Sequence, residues 1–229
     1  MNISIVIPTL NEEKGIQKTL RDISFFLLKN EKLKKEIIVV DGGSEDKTVK
    51  KAQEAGARVI FAKKGYGRQY KAGFKEVVGD IIITMDGDGT YPVEESIKLL
   101  EILEKEKLDF ISLNRFSRSG KESINKINII GNIFLTFFTN ILFGLQLKDS
   151  QSGMWVFRKD ILPELNLTSD GMPFSEEIKI EAFQKFKSKE IIGSYYKRVG
   201  EKSKLKLSDG FKNLFFLFKK RYNLLKKRR

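Results

Sequence analysis

The sequence predicts an α/β fold: a mostly parallel, doubly wound sheet flanked by helices. Three observations predict it. Apolar runs such as Ile37-Ile38-Val39-Val40 and Ile81-Ile82-Ile83 lack polar alternation, as strands buried on both faces do. Helical stretches separate successive runs, and strand–helix alternation returns each strand parallel to the last. Polar, glycine-bearing motifs follow several of the runs, at the strand ends where open α/β sheets bind ligands.

The elements follow in order. Ile3–Pro8 reads as a strand and Glu13–Leu28 as an amphipathic helix. Glu36–Val40 is a strand, Asp46–Ala55 a helix, Ala57–Phe61 a strand and Gly67–Val78 a helix. Asp80–Met85 is a strand, Val93–Lys105 a helix and Asp109–Leu113 a strand. Ile124–Leu145 changes character: it has nearly the length of a membrane span, yet Asn128, Asn132, Asn140 and Gly131 interrupt it. It reads as an amphipathic helix or helix pair at a membrane surface or over the site. Asp149–Arg158 is a polar turn entering a short strand, Ser175–Phe186 is helical, Glu190–Arg198 is extended, and Leu207–Leu225 is a helix of aromatics and leucines ending in Lys and Arg.

Composition narrows the chemistry. With 229 residues, 41% of them hydrophobic, the chain can build a sizeable core. It has no cysteine and no histidine, which removes disulfides, thiolate zinc sites, cysteine nucleophiles and the usual neutral-pH general base. A metal here is held by oxygens, which points to Mg²⁺ or Mn²⁺. The net charge is +13, and residues 197–229 carry thirteen Lys and Arg against Glu201 and Asp209, a net of +11. That asymmetry suggests an anionic partner for the C-terminal stretch. No signal peptide is visible, because strand-like ISIVIPT begins almost at Met1.

Three motifs fall at strand ends: Pro8-Thr9-Leu10-Asn11-Glu12, Asp41-Gly42-Gly43-Ser44-Glu45-Asp46 and Asp86-Gly87-Asp88. Each alone reads as an ordinary turn; together at one sheet edge they read as a pocket. Asp86 and Asp88 repel unless they share a cation, and Mg²⁺ takes one or two carboxylates, filling its shell with water and phosphate oxygens. Gly87 and Gly89 leave room for a diphosphate. Asp41 and Glu12 are placed to accept from a nucleobase or ribose, and Gly65-Tyr66-Gly67-Arg68 to pass close to a ligand. The spacing is not that of a P-loop, and no Gly-x-Gly-x-x-Gly follows the first strand.

VIPTLNE, VVDGGSEDKT, KGYGRQYKAGF, MDGDGTYP, DSQSGMWVFRKD and YYKRVGEKSKL together resemble family 2 inverting glycosyltransferases. The branch is that of dolichol-phosphate mannose synthase and other polyprenyl-phosphate glycosyltransferases. The resemblance implies a GT-A fold, a UDP- or GDP-sugar donor, Mg²⁺ or Mn²⁺, and a polyprenyl or dolichyl phosphate acceptor. It implies that Pro8, Leu10, Glu12, Asp41, Gly65 and Gly87 lie on the nucleotide-sugar, and that Asp86 and Asp88 hold the metal and diphosphate. Arg115, Lys126, Arg198 and Lys204 are implied as cations against phosphates, and Asp149, Glu176 and Glu177 as orienting sugar hydroxyls. The family often has DADxQ where this chain has Gly87 and Thr90, and Lys202 stretches its Gly-Glu-Ser-Lys motif.

Residues 1–206 would form the GT-A domain, with a donor half over 1–115 and an acceptor half over 116–206. Residues 207–229 would form a basic amphipathic helix giving peripheral, monotopic attachment at the cytoplasmic face of a membrane. Asp88, Arg115 and Asp149 are the expected catalytic residues, Asp149 serving as base only if the acceptor is a hydroxyl. Nucleic acid is not expected as a partner. The competing readings are transfer to a glycan hydroxyl, nucleotidyl transfer, and a basic nucleic-acid-binding protein.

Overall fold

The computed structural model describes residues 1–28, 34–116, 123–200 and 207–227. Strands are β1 (Asn2–Thr9), β2 (Lys34–Asp41), β3 (Arg58–Phe61), β4 (Ile81–Thr84), β5 (Phe110–Asn114), β6 (Trp155–Arg158) and β7 (Ser188–Ile192). Helices are α1 (Glu13–Leu28), α2 (Thr48–Glu54), α3 (Tyr66–Glu76), α4 (Val93–Lys105), α5 (Lys126–Phe143), α6 (Phe174–Lys185) and α7 (Leu207–Lys227). The strands form one sheet in the order β3-β2-β1-β4-β6-β5-β7. All neighbours pair parallel except β6, which runs antiparallel to both β4 and β5.

Side-chain alternation splits the strands between two cores. Ile5, Ile7, Val39 and Ile83 pack on one face with Ile16, Leu20 and Ile23 of α1 and Leu99 and Leu103 of α4. Val6, Ile38, Val40 and Ile82 pack on the other with Tyr70 and Phe74 of α3 and Phe174 and Ile178 of α6. Both periods, two in the strands and three-to-four in the helices, are those of a doubly wound sheet. Each fully buried Ile or Leu contributes about 1.5–3 kcal/mol.

The order reverses between β1 and β4, which opens a crevice beyond their carboxyl ends. Register brings Thr9 opposite Asp41, and Val6 opposite Thr84, so the loops after β1, β2 and β4 share one rim. Reversed β6 adds to that rim the loop before it, residues 149–154. Gln69 of α3 ties the edge together, its Nε2 donating to the carbonyls of Thr9 at 2.7 Å and Val40 at 2.8 Å.

Helix α2 is shorter than the sequence suggests because Asp46 accepts from the Thr48 N–H at 2.9 Å and sets its start. The expected extended stretch Glu190–Arg198 is a strand only as far as Ile192. Beyond it the chain crosses the rim, with Tyr196 N–H donating to Thr90 O at 2.8 Å and Val199 N–H to Asp88 O at 3.1 Å.

Gln69→Leu removes two buried hydrogen bonds at the sheet edge and leaves Thr9 O only the Gly42 N–H at 2.9 Å. Urea unfolding is expected to show a loss of about 2–3 kcal/mol, against well under half that for an exposed control such as Lys50→Ala.

Candidate active site

The loop after β2 is built around Asp41, which is buried at the strand end. Its Oδ1 accepts the N–H groups of Gly43 at 2.9 Å and Ser44 at 2.7 Å. Its Oδ2 accepts the hydroxyls of Thr9 at 3.0 Å and Ser44 at 2.6 Å. Four bonds fill a carboxylate's acceptor positions, so Asp41 shapes the rim and has no oxygen to spare for a base or ribose. Pro8 and Glu12 are buried beside it, and Leu10 is half-buried.

Asp86 is half-buried and accepts from Tyr66 Oη at 3.0 Å. Asp88 is buried; its Oδ1 accepts from Thr90 Oγ1 at 2.6 Å, and its Oδ2 pairs with Arg198 Nη2 at 2.7 Å. The other nitrogen of Arg198, Nη1, meets Glu12 at 2.8 Å, so one guanidinium joins the loops after β1 and β4. A Cβ at Gly87 would stand 2.8 Å from Thr9 Cγ2, so a side chain there would require Thr9 to shift. At Gly153 a Cβ would stand 2.3 Å from Tyr66 Oη and 3.1 Å from Asp86 Oδ1, which is how the reversed β6 approaches the acidic pair. Gly65, at φ +145° and 2.5 Å from Asp170 O by the same measure, starts α3 where no side chain fits.

Burial, together with the negative charge of Asp88, pushes the Asp86 carboxyl up to about 7. An ionised Asp86 therefore lacks positive charge here. Two carboxylates on one rim, one of them so destabilised, fit a divalent cation whose remaining shell is water and phosphate oxygen. Among the described residues no cluster of three or more metal-ligating side chains occurs, so a cation held here would take only Asp86 and Asp88 from the protein's acidic side chains.

Arg115, just past β5, faces this rim from the other side. Its Nε and Nη2 grip Asp149 at 2.8 and 2.9 Å, and its own N–H donates to the same carboxylate at 3.0 Å. Asn132 of α5 and the N–H of Gln151 also donate to Asp149, at 2.6 and 3.1 Å. Burial opposes ionisation of Asp149, but the charge and hydrogen bonds of Arg115 outweigh it and hold the carboxyl well below the usual range. Tyr195 lies under the guanidinium, 5.4 Å from ring centroid to Cζ. The fully buried Lys179 fixes the loop from below, donating to Asp149 O at 2.5 Å and Ser152 Oγ at 2.6 Å.

The rim thus brings together Pro8, Leu10, Glu12, Asp41, Gly87, Asp86, Asp88, Arg115, Asp149 and Arg198. Lys126 instead stands exposed in the first turn of α5, and Lys204 lies outside the described residues. Glu176 and Glu177 are fully buried beneath α7, and neither faces open space for a sugar. Glu177 accepts from the N–H groups of Thr168 and Ser169 and pairs with Lys220. Sequence reading named Tyr66 and Thr90 only as members of their motifs and assigned no role to Gln69, Lys179 or Tyr195. Tyr66 and Gln69 are one helical turn apart in KGYGRQY, a spacing that puts both on one face of α3. Thr90 stands in the Asp86-Gly87-Asp88 turn, and nothing local marks Lys179 or Tyr195.

Residues 4–165 match the family model for glycosyl transferase family 2. The chain belongs to glycosyl transferase family 2. It is 35% identical over 219 residues to the low-salt glycan biosynthesis hexosyltransferase Agl6 of Haloferax volcanii, covering 94% of this chain and 52% of that protein. The dolichyl-phosphate hexose transferase of the same organism is 29% identical over 201 residues, 87% of this chain and 85% of that one. The dolichol-phosphate mannosyltransferase of Pyrococcus furiosus is 31% identical over 196 residues, 79% of this chain and 53% of that one. The family 2 chain thus spans about half the length of Agl6 and of the Pyrococcus protein. Its fold is shared with glucosyl-3-phosphoglycerate synthase of Mycobacterium tuberculosis, solved with Mn²⁺ and UDP. The TM-score is 0.74 at 22% identity, covering 96% of this chain and 79% of that one. The expected GT-A architecture is therefore the observed one.

The upward shift of Asp86 gives a signed pH dependence. At pH 3 and below, under the ordinary value of 3.8, the carboxyl is protonated in the folded and unfolded chains alike and costs nothing. As pH climbs from there to about 7, the unfolded chain loses the proton first and stability falls; above that the cost is constant. Asp86→Asn is expected to raise stability by about 1–2 kcal/mol at pH 8 and to change little at pH 3. Thermal melts should also show Mn²⁺ stabilising the natural chain at pH 8 and not the variant.

Proposed function

We propose that this protein transfers a sugar, with inversion, from a UDP- or GDP-sugar to a polyprenyl or dolichyl phosphate at a membrane surface. The observation that carries the reading is the state of Asp149. Five hydrogen bonds, three of them from Arg115, hold it as a carboxylate, which makes it a weak base toward an acceptor hydroxyl. With no histidine in the chain, the usual neutral-pH base is missing too. An acceptor that arrives already anionic, a phosphate, needs no base. The names of the Haloferax and Pyrococcus relatives support the same acceptor.

The donor nucleoside would lie over the rim between Pro8–Leu10 and the loop held by Asp41, with its diphosphate toward Asp86, Gly87 and Asp88. Mg²⁺ or Mn²⁺ held by these two aspartates supplies, when bound, positive charge against the leaving nucleoside diphosphate. Arg115, oriented by Asp149, and Arg198 draw in the acceptor phosphate and offset the repulsion between two anions. A phosphate oxygen then attacks the anomeric carbon from the side opposite the diphosphate. The new C–O bond forms as the old one breaks, and configuration inverts.

Helices α5 and α7 explain how a lipid is reached. The polar side of α5 is turned inward: Asn132 bonds Asp149, Thr136 bonds Ser150, and Asn140 bonds the backbone of Leu147. Its apolar side, with Ile130, Phe137 and Ile141, is exposed. By length and composition this helix could cross a membrane, yet its polar face is committed to the rim loop, so we read it as lying on the surface. Helix α7 repeats the inversion, burying Asn213 and Lys220 while Phe211 and Phe215 are 76% and 71% exposed. An apolar groove lined by Gly131, Phe134, Phe211 and Leu214 runs between the two and suits an isoprenoid tail. Lys212, Lys219 and Lys226 stand exposed along α7, each worth about 1 kcal/mol against anionic headgroups.

A donor panel with polyprenyl phosphate and Mg²⁺ tests the reading, soluble sugars serving as the competing acceptor class. Asp149→Asn, which keeps shape but not charge, is expected to lower kcat/KM for the lipid phosphate by about 100-fold, as misplacing Arg115 would. Turnover only with soluble hydroxyl acceptors, or an undiminished Asp149→Asn enzyme, would overturn it. The paired change Phe137→Glu and Phe215→Glu should abolish sedimentation with anionic vesicles while leaving the melting temperature within a few degrees.

A further inference from the structure

Glu176 is a fully buried carboxyl that the mechanism does not use. It sits in the first turn of α6, between the Gln151 loop and α7. Gln151 Nε2 donates to Glu176 Oε1 and, at 2.8 Å, to Ser150 Oγ; Asn213 Nδ2 of α7 donates to Gln151 Oε1 at 2.8 Å. These bonds fix both amide orientations, since turning either would set oxygen against oxygen. Two buried oxygens are then left over: Glu176 Oε2 and Asn213 Oδ1 have no hydrogen-bond partner among the described residues. The two side chains interact, and both leftover atoms are acceptors. One proton resolves both.

We propose that Glu176 is protonated and donates to Asn213 Oδ1, closing a Gln151–Glu176–Asn213 lock that couples the seating of α7 on a lipid surface to the loop holding Asp149 and, through it, Arg115. Glu176, Gln151 and Asn213 are positioning residues in this scheme. A neutral carboxyl donates where a carboxylate only accepts. Burial supports the assignment, pushing the group to about 8 against the pull of the Gln151 amide, the Lys179 charge and the Asn213 side chain.

The other charges around it are each paired or placed. Asp149 of the loop holds Arg115. On α6, Glu177 pairs with Lys220 of α7. Lys179 binds the loop backbone and is itself lowered by burial to about 8. Lys220 also pairs with Glu181 at 2.6 Å, so the second half of α7 has an anchor that needs no proton on Glu176. Loss of the lock should loosen the first half of α7 selectively. The coupling to lipid rests on the membrane-surface reading above; the proton and the lock do not.

Hydrogen exchange of the full chain from pH 6 to pH 9, corrected for intrinsic rates, tests the lock. In the natural protein, protection over residues 210–217 should fall roughly tenfold between pH 7 and 9, while residues 218–224 change less. Glu176→Gln, whose amide donates at every pH, should hold protection flat. Because Lys179 still titrates in that variant, the difference isolates Glu176. Asn213→Ala should be poorly protected throughout. A flat natural profile, or a Glu176→Gln profile that falls in parallel, overturns the lock. In a second arm, phosphatidylglycerol-containing vesicles at pH 7 should slow exchange over residues 149–153 in the natural protein and not in Asn213→Ala. Equal slowing in both overturns the coupling. Failure of the natural protein to bind vesicles overturns the membrane reading and the coupling together, and the pH arm still decides the proton.

Discussion

Everything at the rim answers one electrostatic constraint: acidic side chains crowd the carboxyl end of a buried sheet, where water cannot fully solvate them. Asp41 is satisfied by its own loop. Asp88 is satisfied by Thr90 and by Arg198, a residue more than a hundred positions away in sequence. Asp149 is satisfied by Arg115 and Asn132. Asp86 alone is left short of positive charge. A surface built this way fits a cation, whose charge would complete what the fold leaves incomplete.

The same economy governs the acceptor side. Helices α5 and α7 turn polar residues inward and leave phenylalanine and isoleucine outside, the opposite of an ordinary amphipathic helix on a soluble domain. Their inward polar groups are tied to the loop between residues 147 and 153. One set of hydrogen bonds therefore positions both the apolar outer face and the Asp149–Arg115 pair. In family 2 chains that act on lipid phosphates, such a shared support would keep the reacting phosphate and its tail in register.

How much could be read in advance follows from range. The strand-end motifs were legible because each sits within a few residues of a strand end, and the parallel order of the first five strands places those ends together. Glu176 and Glu177 misled because two acids at a helix start look like ligands. Burial under α7 commits them to Gln151, Thr168 and Lys220, and α7 lies some thirty residues further along the chain. Lys179 and Tyr195 carry no local signal, since what they do depends on partners far off in sequence.

The sequence by itself determined the α/β class, the oxygen-only ligand chemistry and the acidic rim, because apolar periodicity, missing residue types and strand-end motifs are all local properties. Only the tertiary structure decided that β6 runs backward, that Arg198 bridges Glu12 and Asp88, that Asp149 is gripped by Arg115 and Asn132, and which helix faces meet solvent. Those outcomes turn on long-range pairing and burial, where the free energy of a side chain is set by neighbours that the chain supplies from elsewhere.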